Sequence, residues 1–289
     1  MIHASAPGKI NLYFAVGPKL ADGYHEVCSI YLALNLREVV GVALANELAI
    51  SVDGSLAQIH LDGVPRDDSN LVVRAAKTVT DQTLEFHIEK HVPVAGGMGG
   101  GSADAAATLV AVEALTDSKA KVPAVKLGAD VPFALTGGVA LGLGVGENLS
   151  GLTMNTDLHI VLITSEGGLS TPAVYGKLDE LRIEADLTPE VAPQPPTDLI
   201  EALANGDVQS IARLAHNDLQ WAALELKPEL QDVIDRANAA GALNAIVSGS
   251  GPTVFAIATS AQSANEIAKV FGSSAIVTTG PAVGARLEG

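Results

Sequence analysis

Aromatic side chains, cysteine and basic residues are all scarce in this sequence of 289 residues. Phe, Trp and Tyr together make up 3% of the chain, so the position of each aromatic residue is informative. Cys28 is the only cysteine, which excludes an internal disulfide and is typical of a reducing compartment. We expect Cys28 to behave as a small buried apolar residue.

Positively charged residues are also few. The chain has 17 Lys and Arg residues against 33 Asp and Glu residues, a net charge of −16. This balance argues against nucleic acid or an anionic membrane as the partner. It does not exclude a nucleotide, because a small phosphorylated ligand needs only local donors and usually brings Mg²⁺. The N-terminal residues lack the apolar region of a signal peptide and no long apolar run follows, so we expect a cytoplasmic protein.

Glycine, by contrast, is concentrated in one place. Between Pro93 and Asp104, five of the six positions 96–101 are glycine, interrupted only by Met98. Glycine supplies no packing contacts and loses much backbone entropy on folding, so packing does not explain the run. It does leave N–H groups unobstructed and allows positive φ, which lets a backbone surround an anion.

The flanks of this loop support phosphate binding. Residues 84–89 alternate apolar and polar side chains like a half-buried strand. Ser102 is predicted to cap an alanine-rich helix that follows. Strand, glycine loop and helix N-terminus together favour a phosphate site over a flexible linker. The loop is not a Walker A motif, because no Gly-Lys-Ser/Thr sequence closes it.

The rest of the chain predicts a globular α+β protein. Hydrophobic residues make up 48% of the sequence and charged residues 17%. Strands are predicted at residues 10–16 (ended by Gly17 and Pro18), 39–45, 48–52, 158–163, 245–247, 253–258 and 274–278, and helices from 71, at 171–181, within 197–240 and at 262–271. Strands and helices interleave in both halves, so we expect domains at 1–150 and 151–289 with a cleft between them.

Four further features could carry chemistry, although each has an ordinary structural explanation. Lys9 lies at the start of the first strand, where most lysines are simply solvated. Asp130 lies inside an apolar run, where an aspartate often bonds its own turn. Tyr24 and His25 follow a turn, and residues 248–253 could be a plain hairpin.

Taken together, these segments resemble the GHMP kinase superfamily. Residues 7–12, 93–104 and 248–253 are similar to its three signature segments. Residues 21–25 and 127–133 are similar to members that phosphorylate a cytidine diphosphate-linked sugar alcohol in the non-mevalonate isoprenoid pathway. The resemblance extends from about residue 3 to residue 286. One departure is the segment 116–126, which is several residues shorter than usual.

The resemblance implies a two-domain fold, ATP as phosphoryl donor, Mg²⁺ and a cytidine diphosphate small molecule as acceptor. Lys9 and Asp130 would meet at the accepting hydroxyl, with Asn11 positioning the acceptor. Tyr24 and Tyr175 would hold the cytosine, and His25 would bond its polar edge. The residues implied around ATP are Asn70 near the adenine and, around the phosphates, Pro93, Val94, Ala95, Gly96, Gly97, Met98, Gly99, Gly100, Gly101, Ser102 and Ala103. Ser102 is also the candidate Mg²⁺ contact.

Two other functions stay open at this point. Another GHMP small-molecule kinase, of the homoserine or mevalonate type, would share the glycine loop but would not need the Ala-Asp-Gly-Tyr-His segment. A non-catalytic nucleotide-binding protein would keep the loop but could dispense with Lys9 and Asp130. A purely structural protein does not explain the glycine loop. Oligomeric state does not follow from the sequence.

Overall fold

The computed structural model describes residues 1–54, 61–94 and 96–289. Its strands are β1 (Ile2–Lys19), β2 (His25–Leu44), β3 (Ala49–Gly54), β4 (Leu84–Lys90), β5 (Val139–Leu143), β6 (Asn148–Leu152), β7 (Leu158–Ile163), β8 (His216–Asn217), β9 (Asn244–Val247), β10 (Val254–Ala258), β11 (Ala275–Gly280) and β12 (Arg286–Leu287). Its α-helices are α1 (Leu71–Val79), α2 (Gly100–Thr116), α3 (Val131–Thr136), α4 (Thr171–Glu184), α5 (Thr197–Asn205), α6 (Val208–Leu214), α7 (Leu219–Leu226), α8 (Glu229–Ala239) and α9 (Ala261–Phe271).

The described strands form two sheets. The larger sheet has the order β12-β1-β2-β4-β3, and β5, β6 and β8 extend it. Its centre is the long antiparallel pair β1 and β2, whose register shifts between Pro7 and Lys9 and between Asn11 and Tyr13. The smaller sheet has the antiparallel order β11-β7-β10-β9. The larger sheet is therefore built mainly from the first half of the chain, with β8 and β12 added from the second half, and the smaller sheet lies wholly in the second half.

Helices α1 and α2 cover one face of the larger sheet. In β4, Leu84, Phe86 and Ile88 alternate inward against these helices, as the period of the sequence predicts. Helix α2 is rich in alanine and lies close to the sheet, because its small side chains leave room for the strand residues. The strand, loop and helix around the glycine run thus form a compact unit.

A second core fills the space between the two sheets. Ile10 and Leu12 of β1 pack there with Leu158 and Ile160 of β7 and with Phe255 of β10. A third core lies on the other face of the smaller sheet, under α4, α7, α8 and α9. Phe14, Val16 and Val27 of the β1–β2 pair belong to that third core, so the N-terminal hairpin is packed into the C-terminal half.

Several predicted boundaries need correction. The first strand does not end at Gly17 and Pro18 but runs through them to Lys19. Pro18 is tolerated because β1 and β2 shift register between Val16 and Lys19, where no ladder hydrogen bond is needed from its nitrogen. Likewise β2 begins at His25, long before the predicted start at residue 39. The strand predicted at 48–52 extends from Ala49 to Gly54 and pairs in parallel with β4.

The predictions for the second half agree closely with the structure. The strand at 158–163 has the predicted bounds, and helix α4 extends three residues beyond the predicted end at 181. Strands β9 and β10 form an antiparallel hairpin around residues 248–253. Cys28 is fully buried, and burial raises the pKa of its thiol to about 11. In the described residues no helix is long and apolar enough to cross a membrane.

Candidate active site

The glycine loop joins β4 of the larger sheet to helix α2. Gly97 has φ +74° and Gly99 has φ +70°, a region that disfavours other residues. A Cβ on Gly97 would lie 3.0 Å from the carbonyl oxygens of Ser248 and Gly251, so the glycine loop packs tightly on the 248–253 loop. Both positions therefore require glycine for its backbone conformation. Gly97 also requires it because a Cβ would prevent the close approach of the two loops.

Helix α2 begins differently from the prediction. Its first residue is Gly100 and its N-cap is Gly99, which has no side chain to cap the helix. Ser102 lies in the first helical turn, so the prediction that it caps the helix is wrong. The left-handed conformation of Gly99 starts the helix three residues earlier than a serine cap would. The first N–H groups of α2 are therefore left without a side-chain cap beside the loop.

A cavity of about 430 Å³ lies against this loop and the start of α2. Glycines 96, 97, 99, 100 and 101 line it together with Pro93, Val94, Met98, Ser102, Asn70, Leu71, Lys90 and Asp104. Helix N-termini and exposed backbone N–H groups favour negative charge, so this cavity can accept phosphate groups. Of the predicted ATP-binding residues, Ala103 is fully buried in α2 and Ala95 lies outside the described residues.

Asn70 borders the same cavity, but its side chain already has partners. Its Oδ1 accepts the N–H of Val72 at 3.0 Å and caps α1, and its Nδ2 donates to the carbonyl oxygen of Pro65 at 2.6 Å. This arrangement makes Asn70 a rigid part of the cavity wall. The cap explains why α1 begins at Leu71, as predicted.

Lys9 and Asp130 meet, although 121 positions separate them in the sequence. The Lys9 Nζ lies 3.6 Å from Asp130 Oδ2 and donates to Asn11 Oδ1 at 3.0 Å. Lys9 is buried, and its Nζ also lies 5.5 Å from the centre of the Tyr31 ring. Asp130 is at the N-terminus of α3, where its side chain makes no capping hydrogen bond. The carboxylate thus stays available to a ligand.

A second cavity of about 220 Å³ opens on this pair. It is lined by Lys9, Asn11, Phe14, Tyr31, Asp130, Val145, Thr171, Tyr175 and Leu219, and by residues of both glycine-rich loops, Gly97, Gly99, Gly249 and Ser250. Gly97 and Gly99 line both cavities. A Cβ on Gly99 would lie 3.2 Å from Lys9 Cγ and 3.7 Å from Asp130 Oδ2. The two cavities therefore meet where Lys9 and Asp130 stand.

The electrostatics of the second cavity reflect burial beside a carboxylate. Burial raises the pKa of Tyr31 and of Tyr175, and the negative charge of Asp130 raises both further. Both phenols are therefore neutral at physiological pH. They can pack against a ligand or donate a hydrogen bond, but they do not add negative charge to the site.

His25 and Tyr175 also come together, across the β2–α4 contact. Their ring centres are 5.0 Å apart with a tilt of 36°. His25 Nε2 lies 3.0 Å from Asp179 Oδ1, so a carboxylate one helical turn beyond Tyr175 holds the imidazole in place. Tyr24 lies on the preceding turn with 64% of its surface exposed. The structure thus joins two of the three predicted cytosine contacts and leaves the third in solvent.

One charged cluster beside the site escaped the sequence analysis. Lys90 Nζ lies 2.5 Å from Glu38 Oε1 and 2.7 Å from Asp104 Oδ2, and all three side chains are buried. Burial, together with the charge of Asp104, raises the pKa of Glu38 to about 8, although Lys90 opposes this. Burial also raises the pKa of Asp104. A signal was available, because Lys90 continues the inward alternation of Leu84, Phe86 and Ile88.

This buried cluster joins three elements under the glycine loop. Glu38 comes from β2, Lys90 from β4 and Asp104 from α2. Glu38 Oε2 accepts the N–H of His91 at 2.8 Å, while Asp104 Oδ1 has no hydrogen-bond partner among the described residues. A Cβ on Gly100 would lie 2.9 Å from Glu38 Oε1. A side chain at Gly100 would therefore collide with this cluster.

The hairpin loop 248–253 completes the second cavity from the C-terminal half. Gly249 has φ +54°, and the side-chain amide of Asn217 donates to the carbonyl oxygens of Val247 and Gly249, both at 2.8 Å. Ser250 Oγ lies 2.9 Å from Thr171 Oγ1 at the start of α4. Residues from both halves of the chain therefore surround the space in front of Lys9 and Asp130.

Two protein families match this chain. The family described as GHMP kinases N terminal domain matches residues 70–138, and GHMP kinases C terminal matches residues 199–276. A solved structure of a homoserine kinase from Cytophaga hutchinsonii shares the fold, with a TM-score of 0.70 at 20% identity over 99% of this chain and 97% of that one. The predicted GHMP-kinase fold and the α+β class are confirmed.

Proteins with higher sequence identity to this chain identify the family within the GHMP kinases. A 4-diphosphocytidyl-2-C-methyl-D-erythritol kinase of Pseudarthrobacter chlorophenolicus is 44% identical, covering 99% of this chain and 94% of that relative. One of Rhodococcus jostii is 43% identical, covering 98% and 93%. A crystal structure of 4-(cytidine 5'-diphospho)-2C-methyl-D-erythritol kinase has a TM-score of 0.77 at 30% identity, covering 96% of this chain and 98% of that one. With relatives this similar over almost its full length, the chain belongs to the 4-diphosphocytidyl-2-C-methyl-D-erythritol kinase family of the GHMP kinases.

Proposed function

We propose that this protein transfers the γ-phosphoryl group of ATP to a hydroxyl of 4-diphosphocytidyl-2-C-methyl-D-erythritol and forms its 2-phosphate, a step of the non-mevalonate isoprenoid pathway. The family assignment supports an ATP-dependent small-molecule kinase. The single observation that carries the proposal is the pair Lys9 and Asp130 at the junction of two cavities. One cavity is suited to phosphates and the other to an acceptor.

The reaction needs positioning and charge stabilisation more than covalent help from the protein. Phosphoryl transfer has a loose transition state with charge spread over the transferring oxygens. In our proposal Asp130 orients the attacking hydroxyl and accepts its proton late in the transfer. Lys9 stabilises the charge that develops on the transferring group. Asn11, which accepts a hydrogen bond from Lys9, helps to position the acceptor.

ATP is proposed to occupy the larger cavity. The backbone N–H groups of the glycine loop and the start of α2 would bind its phosphates, with the adenine near Asn70. The residues that line the larger cavity fit a Mg²⁺ ion that is bound together with the nucleotide. Ser102 lines the cavity, and no group of three or more His, Cys, Asp or Glu in the described part of the chain forms a metal cage. Mg²⁺ usually keeps several waters and phosphate oxygens as ligands. Ser102 would hold it, and the ion would offset phosphate charge.

The cytosine is proposed to bind at Tyr175 and His25. A cytosine has a flat face and an edge with donors and acceptors, which suits an aromatic ring beside an imidazole. Tyr24, which is exposed here, would supply the second face on binding. This clamp accounts for the Ala-Asp-Gly-Tyr-His segment, which the homoserine and mevalonate alternatives leave unexplained.

The simultaneous presence of Lys9 and Asp130 disfavours a non-catalytic nucleotide-binding role. Location in the cytoplasm is part of the proposal, as is a small molecule, not a nucleic acid, as partner.

Steady-state kinetics with the cytidine substrate and its uridine analogue test substrate identity. We expect wild type to prefer cytidine, because the His25 edge discriminates between the bases. Losing a stacking face costs about 1–3 kcal/mol for bases on aromatic residues, so Tyr24→Ala should raise the KM for the cytidine substrate by roughly tenfold or more. The KM for ATP serves as the internal control and should not change.

Two outcomes would reject the cytosine clamp. One is equal use of both bases by the wild-type enzyme. The other is an unchanged KM for the cytidine substrate in Tyr24→Ala. Activity on homoserine or mevalonate with none on the cytidine substrate would favour the other kinases of the superfamily.

A further inference from the structure

A buried hydrogen-bond chain leads away from Lys9 into the larger sheet. Lys9 Nζ donates to Asn11 Oδ1 at 3.0 Å, and Asn11 Nδ2 donates to Ser29 Oγ at 2.8 Å. Ser29 Oγ in turn donates to the carbonyl oxygen of Tyr13 at 3.1 Å. Asn11 and Ser29 have no exposed surface, and Lys9 is 9% exposed. Beyond Lys9, which lines the second cavity, the chain is therefore shielded from water and ends on a backbone atom.

The donors and acceptors of this chain allow only one direction. The hydroxyl of Ser29 has one proton, which it gives to the Tyr13 carbonyl, so toward Asn11 it can only accept. The Asn11 amide must then turn its nitrogen to Ser29 and its oxygen to Lys9. A flipped amide would place its NH₂ group against the Lys9 ammonium, two donors facing each other. The Ser29 hydroxyl and the Lys9 ammonium thereby both hold the amide oxygen of Asn11 toward Lys9.

Strand geometry brings these residues to the same face of the sheet. Lys9 and Asn11 are two positions apart on β1, and Ser29 and Tyr31 are two positions apart on β2, so each pair shares one face of its strand. Asn11 pairs with Tyr31 across the two strands. The register shift between Asn11 and Tyr13 then pairs Ser29 with Phe14. A shift of this kind is a local device that redirects side chains and backbone groups. It sets the Tyr13 carbonyl within reach of the Ser29 hydroxyl.

From this geometry we infer that Ser29 is a positioning residue for phosphoryl transfer: it orients the Asn11 amide, which holds the Lys9 ammonium toward Asp130. The inference rests on the proposed roles of Lys9 and Asp130. Lys9 has two further contacts, the Asp130 carboxylate at 3.6 Å and the Tyr31 ring at 5.5 Å. Neither contact directs an N–H along a short hydrogen bond, so the amide oxygen is the contact that sets the direction of the ammonium.

Ser29→Ala removes the relay without touching a ligand. We expect kcat to fall roughly 10- to 100-fold, because small displacements of a catalytic group cost rate steeply, with the KM for ATP unchanged. Ser29→Thr keeps the hydroxyl and should retain most of kcat. The neighbouring Cys28→Ala is the matched control, since it also removes one buried side-chain heteroatom from β2, here a sulfur outside the hydrogen-bond chain, and should leave kcat unchanged. A kcat for Ser29→Ala within twofold of wild type would overturn the inference.

A double-mutant cycle separates positioning from structural loss. If Ser29 acts through Asn11, then adding Ser29→Ala to Asn11→Ala should lower kcat no further. Additive losses in the two variants would mean that Ser29 acts by another route, and would overturn the inference. Circular dichroism of every variant confirms that the compared proteins are folded.

Crystal structures of wild type and Ser29→Ala test the geometry without any substrate. In the variant we expect Asn11 Oδ1 to leave hydrogen-bond distance of Lys9 Nζ. If both structures keep this contact near 3.0 Å, the inference fails. An inactive wild type that nevertheless loses the contact in Ser29→Ala would contradict the proposed function while supporting the positioning role.

Discussion

At the scale of single residues, Asp130 is the group whose chemistry is most specific. Its carboxylate faces Lys9 at 3.6 Å, is 28% exposed and caps no helix. A structural aspartate in a turn would accept hydrogen bonds from nearby backbone N–H groups, as Asp207 does from Ser210. Asp130 does not, which favours a role toward a ligand.

Asp130→Asn should therefore abolish turnover and leave nucleotide binding intact. A positioned acid or base group contributes about 10²–10⁴-fold, so we expect a loss of that order in kcat. ATP affinity, measured by calorimetry, should change little, because Asp130 is absent from the lining of the larger cavity. The exposed Asp117→Asn is the matched control. If the Asp130 variant keeps more than a tenth of the wild-type rate, Asp130 is a structural residue.

At the scale of elements, the glycine loop depends on backbone conformations that few other residues adopt. A left-handed conformation costs a residue with a Cβ about 1–2 kcal/mol, and at Gly99 the new Cβ would also approach Lys9. Gly99→Val should accordingly weaken ATP binding by about tenfold or more, since about 1.4 kcal/mol corresponds to a factor of ten.

The measurement for the loop is ATP affinity by calorimetry, with circular dichroism to confirm folding. Gly151→Val is the control, because Gly151 lies on a strand without positive φ and a Cβ added there would meet no atom within 4 Å. Unchanged affinity in a folded Gly99→Val protein would mean that the phosphates bind elsewhere.

The buried cluster of Glu38, Lys90 and Asp104 makes stability depend on pH. Both carboxyl pKa values are raised in the folded state, so the folded protein binds more protons than the unfolded chain between about pH 5 and the folded pKa of Glu38, about 8. Their contribution to the free energy of unfolding is present at low pH and declines as pH rises through this range. The physical cause is burial of two carboxylates around one ammonium.

Asp104→Asn should reduce this decline. It removes the negative charge of Asp104, which together with burial raises the pKa of Glu38. The remaining Glu38 carboxylate and Lys90 ammonium form an ion pair with no net charge. One pKa unit corresponds to about 1.4 kcal/mol, so the Tm of the variant relative to wild type should rise by roughly 2–4 °C or more from pH 5 to pH 8. Asp68→Asn, in the exposed pair with Lys77, is the control and should show no such trend. Parallel pH profiles for Asp104→Asn and wild type would contradict the argument.

At the scale of the whole molecule, the halves share their cores. Phe14 of β1 is buried among the C-terminal helices, and β8 and β12 from the second half pair with β1. Asp218 accepts the N–H of Val16 at 2.8 Å and a hydrogen bond from Arg182 at 3.0 Å, which ties α4 to the first strand. The boundary predicted near residue 150 stays a prediction, but the packing couples the two sides.

We therefore expect one cooperative thermal transition in scanning calorimetry, with equal calorimetric and van't Hoff enthalpies. Phe14→Ala should destabilise the protein by about 3–5 kcal/mol and lower the Tm of that single transition. Two separated transitions, in wild type or in the variant, would show that the halves unfold independently.

The sequence by itself determined the segments that act locally. The glycine loop, the alternation of β4, the start of α1 at residue 71 and the β9–β10 hairpin follow from backbone freedom and side-chain period, which neighbouring residues decide. Lys9 and Asp130 could be paired in advance only through family resemblance. Their 3.6 Å contact, the pairing of His25 with Asp179 and the buried Lys90 cluster depend on which strands and helices meet. The tertiary structure alone decided these, because partners far apart in the chain are chosen by packing and register, which no local pattern encodes.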